Sequence, residues 1–456
     1  MSKTRIPQMA TKRHRIVVFW RQPWLYLGLL VALSLGVFFT VYQIPGIPAR
    51  LNYHYNQARA KVFYFFRRPQ EQIFLPGQAG TQIPTQLSSP APANSPIMTA
   101  TPPALATLPT DTPPTLKSAS ELILPPQLPF PAVCQISDIE PEKQGMNNCG
   151  PTTLGIYLRF WGVDTGQTQI ASSIHQVADD RNVGLYEMRD YVLANTDLKA
   201  LIRFGGDFDL LRTLVSQGFP VMFERGFYTA STKEWMGHYG LVTGYDQNAA
   251  TIHVPDTYLG STDFNEADLQ RLWMHFSYSY LIIYPENQEA SIRAILRDQW
   301  DEAKNAIHAL ELMREKANSE YPEDHAEDSF FAKFGIGVAF LLNHDSAQAA
   351  QAFDEAFRAY AELPAYKRPF RVMWYQFGPY EAYYATGRFQ DCLSLAQNTI
   401  ANSAASGLEE SWYWRGKCTE ALGDESSAAY FYQKALDWHP GWGPAEEALQ
   451  ALKDKP

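Results

Sequence analysis

Cys149 lies where a thiol could act as a nucleophile. The run Asn148-Cys149-Gly150-Pro151 is typical of a helix start, because proline lacks the N–H group that is unpaired in the first turn anyway. At such a position the helix dipole and the unpaired amides lower the pKa of a thiol and make it more reactive. Gln144, five residues earlier, could donate its amide to an oxyanion together with the Cys149 backbone N–H. A small buried cysteine that serves only packing explains these residues equally well.

A nucleophilic cysteine also needs a base and a group that orients the base. His238 begins a run of alternating, strand-like residues, and Asp256 follows the next such run, so a hairpin would return it to the same end of the sheet. His253 is a competing base, but it lies in mid-strand between apolar residues and is predicted to be packed or on the surface. His175 and His275 lie in helix-like stretches and are predicted to be solvated.

These side chains require an α+β unit to position them. The helix that begins at Asn148 has apolar residues at helical spacing as far as Trp161 and is predicted to end at Gly162. Four later runs rich in Val, Ile, Tyr and Phe are predicted strands: Pro220–Phe227, His238–Tyr245, Thr251–Val254 and Ser279–Tyr284. Residues 246–250 are predicted to join the second and third strands as a hairpin loop. We therefore expect an α+β domain over residues 132–286.

From about Val133 to Pro285 the chain resembles the double-glycine-leader (bacteriocin-processing) cysteine peptidase family, in particular its peptidase-like branch. The matching pieces are Gln144, Asn147-Asn148-Cys149-Gly150-Pro151 with Leu154 and Tyr157, Gly237-His238-Tyr239, Val242-Thr243-Gly244-Tyr245-Asp246, and Asp256-Thr257-Tyr258-Leu259-Gly260. The resemblance covers about a third of the chain, and all the functional residue types occur in the family's order.

The resemblance implies a papain-like fold and a role for each matching residue. Cys149 would be the nucleophile, His238 the general base and acid, Asp256 the group that orients His238, and Gln144 part of the oxyanion hole. Thr257 departs from the family, which often has Pro or Ser after the aspartate. The implied reaction is hydrolysis of a peptide bond in a peptide or protein substrate. Cleavage of cell-wall peptides, acyl transfer, and an inactive papain-like binding or scaffold protein remain alternatives.

Residues 289–453 are predicted to form an all-helical region with an internal repeat. One copy has tetratricopeptide spacing at Trp412, Gly416, Gly423, Ala428, Tyr432, Ala435 and Pro440. An earlier copy matches it at Gly337, Ala349, Phe353 and Ala356. The region resembles a tetratricopeptide array, which either caps the peptidase-like domain or binds a protein partner or substrate. Because repeats contact mainly their neighbours, we expect this region to fold alone and to be dispensable for cleavage of small peptides.

The four cysteines are too few for a disulfide scaffold. Cys392 and Cys418 fall on adjacent predicted helices and are candidates for a disulfide, although the sequence does not decide their register. A disulfide between Cys134 and Cys149 would silence the nucleophile, and we expect Cys149 to stay reduced.

The N-terminal part has the charge pattern of a membrane anchor. Residues 1–23 are a basic tail, and residues 24–43 are a nearly uninterrupted apolar run whose length fits a bilayer. More Lys and Arg precede the run than follow it, which predicts a single-pass cell-membrane protein with a cytoplasmic N-terminus and an extracytoplasmic catalytic domain. Residues 44–75 are predicted to be a juxtamembrane segment. Residues 76–131 contain 14 prolines and are predicted to be a disordered linker that acts as a stalk.

The composition excludes some classes of function. Residues 1–70 carry eleven Lys and Arg and no Asp or Glu, so the net charge of −10 conceals a strongly acidic remainder. An acidic body argues against nucleic acid as a partner. The sequence contains no set of His, Cys or acidic residues at metal-ligand spacing and no phosphate-binding loop, so neither a metal nor another cofactor is expected.

Overall fold

A computed structural model describes residues 73–78, 130–175, 182–228, 234–403 and 407–455, and the single positions 28, 30 and 33. The chain divides into two compact units, Met1–Phe66 and Arg67–Pro456, and the elements below belong to the second. Within the described ranges no helix has both the length and the apolar character needed to cross a membrane. The predicted span at residues 24–43 lies outside those ranges apart from the three single positions, so membrane anchoring stays a prediction.

The first part of this unit, residues 130–285, is an α+β region. Its helices are α1 (Cys149–Phe160), α2 (Gln167–Ile174), α3 (Leu185–Asn195), α4 (Phe208–Ser216) and α5 (Glu266–Met274). Its strands are β1 (Val133–Gln135), β2 (Leu198–Arg203), β3 (Val221–Tyr228), β4 (Trp235–Val242), β5 (Gly244–Asp246), β6 (Thr251–Asp256), β7 (Gly260–Asn265) and β8 (Tyr280–Pro285).

The strands form two antiparallel four-stranded sheets with the orders β1-β5-β6-β7 and β2-β8-β3-β4. Only Thr243 separates β4 from β5, so one nearly continuous stretch of chain passes from the second sheet into the first. Helix α1 buries Leu154, Tyr157 and Leu158 in one apolar core together with Tyr239 and Leu241 of β4. The start of α1 is thereby held against the strand that carries His238.

The predicted elements agree well with this architecture. Helix α1 begins at Cys149, and Gly162 follows its end with a φ of 81°, a backbone conformation that glycine adopts without a steric penalty. The four predicted strands correspond to β3, β4 with β5, β6 and β8, within two residues at most ends. Strands β1, β2 and β7 were not predicted from the sequence, because they are short or lack the alternating apolar pattern.

The second part, from residue 289 onward, is helical. Its helices are α6 (Glu289–Leu296), α7 (Glu302–Ala317), α8 (Glu327–Leu342), α9 (Ser346–Glu362), α10 (Gly378–Ala385), α11 (Phe389–Ala401), α12 (Glu409–Ala421), α13 (Glu425–Trp438) and α14 (Gly443–Lys453). Short 3₁₀ segments occur at Glu286–Gln288, Arg297–Trp300, Glu323–His325, Ala365–Lys367 and Val372–Trp374.

Two helix pairs use the same contact, as the internal repeat predicts. A Cβ atom on Gly337 of α8 would lie 2.5 Å from a ring carbon of Phe353 on α9. A Cβ atom on Gly416 of α12 would lie 2.6 Å from the ring of Tyr432 on α13. In both pairs, glycine lets an aromatic ring of the next helix approach the backbone closely. The helical nature of the region is thus established, while its assignment to the tetratricopeptide family stays a prediction.

The cysteines divide into one pair and two free thiols. Cys392 of α11 and Cys418 of α12 form a disulfide with a Cα–Cα distance of 6.2 Å, as their adjacent helices suggested. Cys134 and Cys149 are free and half-buried. The inactivating disulfide between them is therefore not formed.

Candidate active site

Cys149 is the first residue of α1, and its side chain is half-buried. Burial would raise the pKa of its thiol, but the hydrogen bond and positive charge of His238 oppose this effect. Backbone hydrogen bonds of Tyr239 and Gly150 act in the same direction, and the net result is a pKa below the ordinary thiol value. A thiol with these surroundings forms a thiolate readily, and the thiolate is the reactive form.

His238 and Asp256 form a buried pair. The imidazole Nε2 of His238 lies 3.1 Å from Oδ1 and 3.0 Å from Oδ2 of Asp256. Because Nε2 faces the carboxylate, Nδ1 is the ring nitrogen that remains for the hydrogen bond with the Cys149 thiol. Burial lowers the pKa of His238, but the charge of Asp256 and the hydrogen bonds to Asp256 and Cys149 raise it above the ordinary value. A raised imidazole pKa beside a lowered thiol pKa favours a thiolate–imidazolium pair.

Asp256 is held in place by four donors. It ends β6 and is 1% exposed, and its Oδ1 accepts the backbone N–H groups of Tyr258 and Leu259, each at 2.8 Å. Its Oδ2 accepts from the guanidinium of Arg225 at 2.9 Å, in addition to its contact with His238. Burial raises the pKa of this carboxyl, but the charges of His238 and Arg225 and these hydrogen bonds hold it well below its usual range. Asp256 is therefore ionised and fixed in orientation.

Arg225 is a site residue that sequence reasoning missed. It lies on β3 directly opposite His238 of β4 in the strand register, and it is 1% exposed. Its guanidinium carbon lies 4.6 Å from the ring centroid of Phe264 and 5.4 Å from that of Phe227. In the sequence, Arg225 follows Glu224 in an otherwise mostly apolar strand. Only the cross-strand pairing reveals that Arg225 faces the carboxylate of Asp256.

Gln144 is tied to Thr257, the residue that departs from the family pattern. The Thr257 hydroxyl donates to Gln144 Oε1 at 2.7 Å, and the Gln144 backbone N–H donates to the Thr257 carbonyl at 3.0 Å. Since Oε1 accepts from the hydroxyl, the Nε2 group of Gln144 is the end that can donate to an oxyanion. Thr257 thereby couples the orientation of Gln144 to the loop that follows Asp256.

The loop between Gln144 and Cys149 is fastened by Gln167, another residue that the sequence did not single out. Gln167 begins α2, and its Oε1 accepts from Gly145 N at 2.8 Å and from Asn148 Nδ2 at 2.7 Å. Its Nε2 donates to Glu142 Oε1 at 2.6 Å. The Gln167 amide thus binds residues next to Gln144, the predicted oxyanion donor, and next to Cys149.

A buried carboxyl group lies near the thiol as well. Glu224 of β3 is 6% exposed, and its Oε1 has no hydrogen-bond partner among the described residues. A Cβ atom on Gly237, the residue before His238, would lie 3.0 Å from this oxygen and 2.8 Å from the Tyr375 ring. Burial raises the pKa of Glu224 well above its ordinary value; a hydrogen bond with Tyr239 opposes this effect, and the negative charge of the Cys149 thiolate adds to it. The helical region thus contributes Tyr375 to the immediate surroundings of His238.

The remaining predicted histidines differ in position. His253 pairs with Asp263 through Nδ1 at 2.7 Å near the surface, as predicted for a residue outside the site. His175 follows α2 and its Nε2 lies 3.2 Å from Asn148 Oδ1. His275 was predicted to be solvated, and this was wrong, because it is 1% exposed. The helical region covers it, with Phe331 stacked on its ring at 3.8 Å and Asp328 bonded to its Nε2 at 2.8 Å.

Across the part of the chain that the structure describes, no group of three or more His, Cys, Asp or Glu side chains is arranged to hold a metal ion. The site combines a thiol of lowered pKa with an imidazole that interacts with it and that is hydrogen-bonded to a buried carboxylate. Such an arrangement is suited to nucleophilic attack on a carbonyl carbon.

Comparison with known proteins finds resemblances to the part of the chain that contains this site. Three solved structures resemble the chain: a protein from Bacillus anthracis described as a C39-like peptidase, a double glycine motif protease from an AMS/PCAT transporter in complex with the leader peptide, and Xylellain, a cysteine protease from Xylella fastidiosa. Their identities are 14%, 16% and 11%, with TM-scores of 0.29, 0.26 and 0.27. They cover 34%, 33% and 34% of this chain and 98%, 94% and 87% of their own chains.

No curated protein matches the chain. The residues matched by a family model form a continuous range in which Gln144, Cys149, His238 and Asp256 lie. Residues 127–285 match the model of the Peptidase_C39 like family, and this part of the chain is therefore similar to a papain-like cysteine peptidase.

Proposed function

We propose that the protein is a cysteine peptidase that hydrolyses a peptide bond through Cys149, His238 and Asp256. The observation that carries the proposal is the buried His238–Asp256 pair, whose imidazole also interacts with the Cys149 thiol and lowers the pKa of that thiol. The direction of both pKa changes, lowered for Cys149 and raised for His238, supports a thiolate–imidazolium pair before substrate binds.

In the proposed reaction the Cys149 thiolate attacks the carbonyl carbon of the scissile peptide bond. The Nε2 group of Gln144 and the backbone N–H of Cys149 stabilise the oxyanion. The His238 imidazolium then gives its proton to the leaving amine, which departs and leaves an acyl-enzyme. His238 next accepts a proton from water, and the resulting hydroxide attacks the acyl group to release the carboxylate product and the thiolate. Asp256 and Arg225 keep the imidazole in its orientation throughout.

Thiol alkylation at different pH values tests the pairing directly. With the full chain, we expect the rate of Cys149 alkylation to rise with an inflection below the free-cysteine pKa of about 8.5. In His238→Ala the inflection should move upward, because the thiolate loses both its hydrogen-bond donor and its neighbouring positive charge. Coincident curves for the two proteins near the free-cysteine value would contradict the pairing.

A second thiol reagent, an electrophilic peptide, separates a peptidase from an inactive binding protein. An electrophilic peptide probe should label the wild-type protein and fail to label Cys149→Ala. Cys134→Ala is the matched control, because Cys134 is the other free and half-buried thiol, and it should be labelled like the wild type. Labelling of the pure protein without hydrolysis of any peptide, while an added amine is acylated, would favour acyl transfer instead.

The proposed location is the cell membrane, with the catalytic unit outside the cytoplasm. Residues 24–43 contain no Asp, Glu, Lys or Arg and are preceded by six Lys and Arg residues, which is the support for this topology. Protease added to intact cells should digest the part of the chain after residue 131. Full protection of that part in intact cells, with digestion after lysis, would overturn the topology and leave the catalytic proposal unaffected.

The helical region is proposed to recruit a protein partner or a substrate. Support comes from a segment of this chain that already lies on it, Ile73–Gln78.

A further inference from the structure

A short N-terminal segment lies on the helical region far from its neighbours in sequence. We call Ile73–Gln78 the strap. Its Phe74 is 5% exposed, whereas Ile73, Gly77 and Gln78 are exposed. Residues 44–75 are predicted to be a juxtamembrane segment and residues 76–131 a disordered linker, and neither prediction includes a buried aromatic ring.

The Phe74 ring packs against aromatic rings of two helices. It meets the Phe357 ring of α9 edge to face, with 5.1 Å between centroids, and lies 6.0 Å from the Tyr383 ring of α10. The strap then turns, with Gln78 N bonded to the carbonyl of Leu75. Gly77 has a φ of 74° in this turn, which glycine adopts without strain. The Pro-Gly sequence of the strap is therefore matched to its bound shape.

A carboxylate of the helical region accepts a hydrogen bond from the turn of the strap. The backbone N–H of Gly77 donates to Oδ1 of Asp391 on α11 at 2.9 Å. The other oxygen of Asp391 accepts from Arg388 at 2.8 Å, and Arg388 also pairs with Asp354 at 2.9 Å. Asp391 is thus held in place by its own helix and by α9, independently of the strap. We call Phe357, Tyr383 and Asp391 the Phe74 slot.

We propose that the Phe74 slot is a peptide-binding site and that the strap is its reversible ligand within the same chain. The chemistry it recognises is an aromatic side chain followed after one residue by a Pro-Gly turn that presents an N–H to a carboxylate. This inference deepens the proposed recruiting role of the helical region and is independent of the proposed catalysis.

The contacts support a ligand more than a fixed structural element. Phe74 and the Gly77 N–H make the described contacts with the slot, and the strap's remaining described residues are exposed or half-buried. A contact of this size is weak between separate molecules, but a tether raises the local concentration of the segment to about millimolar. The strap would therefore occupy the slot while the chain is intact and exchange once it is cut.

Occupation of the slot also changes the interpretation of the linker. The strap and the chain from residue 130 onward both lie in the Arg67–Pro456 unit. The described residues at the two ends of the predicted linker, 76–78 and 130–131, therefore lie in one compact unit.

The experiment uses the full chain with a specific protease site placed within residues 79–129. After cleavage and washing, a labelled synthetic peptide covering residues 70–80 is titrated by fluorescence polarisation against the nicked protein and against the intact protein. We expect about 10- to 100-fold tighter binding to the nicked protein, because the tethered strap no longer competes. Phe74→Ala in the peptide should weaken binding by about 10- to 100-fold, as expected for loss of one buried aromatic side chain.

Ile73→Ala in the peptide is the matched control and should bind almost as well as the original, since Ile73 is 36% exposed. Failure of the peptide to bind the nicked protein, or binding that ignores the Phe74 substitution, would overturn the proposal. The proposal would also be overturned if millimolar peptide failed to displace the cleaved N-terminal fragment, or if the nicked protein lost its thermal unfolding transition. Either result would make the strap an integral part of the fold. Peptidase activity measured in parallel reports on the catalytic proposal separately.

Discussion

The α+β region and the helical region are built from contacts of different range. In the α+β region, the site draws on Cys149 at a helix start, His238 and Arg225 on neighbouring strands, and Asp256 at the end of a third strand. In the helical region, the repeated contacts join residues on consecutive helices, as in Gly337 with Phe353. The comparison teaches that bringing the side chains of the site together requires a specific strand register. The contacts between consecutive helices require only a residue pattern that repeats locally in the sequence.

The two regions nevertheless meet through a buried polar joint. Trp235 of β4 donates through Nε1 to His275 Nδ1 at 3.0 Å, and His275 Nε2 lies 2.8 Å from Asp328 of α8. Arg203 of β2 donates to the carbonyl of Gln299 at 2.8 Å. Trp235 and Phe331 belong to one apolar core that spans both regions. The expectation that the helical region folds alone does not fit these contacts, because separation would expose the joint to water.

The largest effect should come from the residues of the proposed triad. Cys149→Ala and His238→Ala should each lower peptide turnover by at least about three orders of magnitude, because coupled groups fail when either central member is lost. Thermal unfolding should change little in Cys149→Ala. Cys134→Ala provides the comparison and should retain full turnover. Substantial hydrolysis by purified Cys149→Ala would exclude this thiol as the nucleophile.

Gln144 should have the next largest effect. Gln144→Ala is expected to lower kcat by roughly 10- to 1,000-fold, the effect of losing an oxyanion donor, without changing the rate of Cys149 alkylation. Thr257→Val should reproduce part of the loss, because the hydroxyl that orients Gln144 is removed, whereas Thr257→Ser should restore it. If alkylation and turnover fell in parallel, Gln144 would act on the thiol and not on the oxyanion.

The joint between the two regions should determine stability. Asp328→Ala leaves the Nε2 group of His275 buried without its acceptor, and we expect a loss of about 3 kcal/mol in the free energy of unfolding. Asp324→Ala, in which an exposed carboxylate nearby is removed, should have an effect below about 0.5 kcal/mol. Denaturant unfolding measures both. Equal stability of the two variants would show that the regions are held together without this joint.

Two buried arginines offer the sharpest contrast between site and joint. Arg225→Met should lower turnover by about tenfold and shift both limbs of the pH–activity profile upward. The thiol loses a nearby positive charge, which raises its pKa, and the imidazolium faces a carboxylate that is no longer partly neutralised, which also raises its pKa. Arg203→Met should lower the unfolding temperature and leave the pH limbs in place. An unshifted profile in Arg225→Met would reduce that residue to a structural role.

The amino-acid sequence alone determined the helix that begins at Cys149, the strand that carries His238, the strand that leads to Asp256, and the helical character of the chain after residue 289. Local patterns suffice for these features, because apolar periodicity and helix-start residues act within a few positions. The glycine and aromatic spacing of the repeats is also local, and the structure shows the corresponding ring contacts at Gly337 and Gly416.

Tertiary structure alone decided which partners these residues meet. Arg225 acts on Asp256 only because β3 pairs with β4 in one register, and His275 is buried only because α8 covers it. Thr257 orients Gln144 across more than a hundred residues of chain, and Gly77 binds Asp391 from 314 residues away. A periodic pattern specifies which face of an element is buried, but the partner across the core depends on how distant elements pack together.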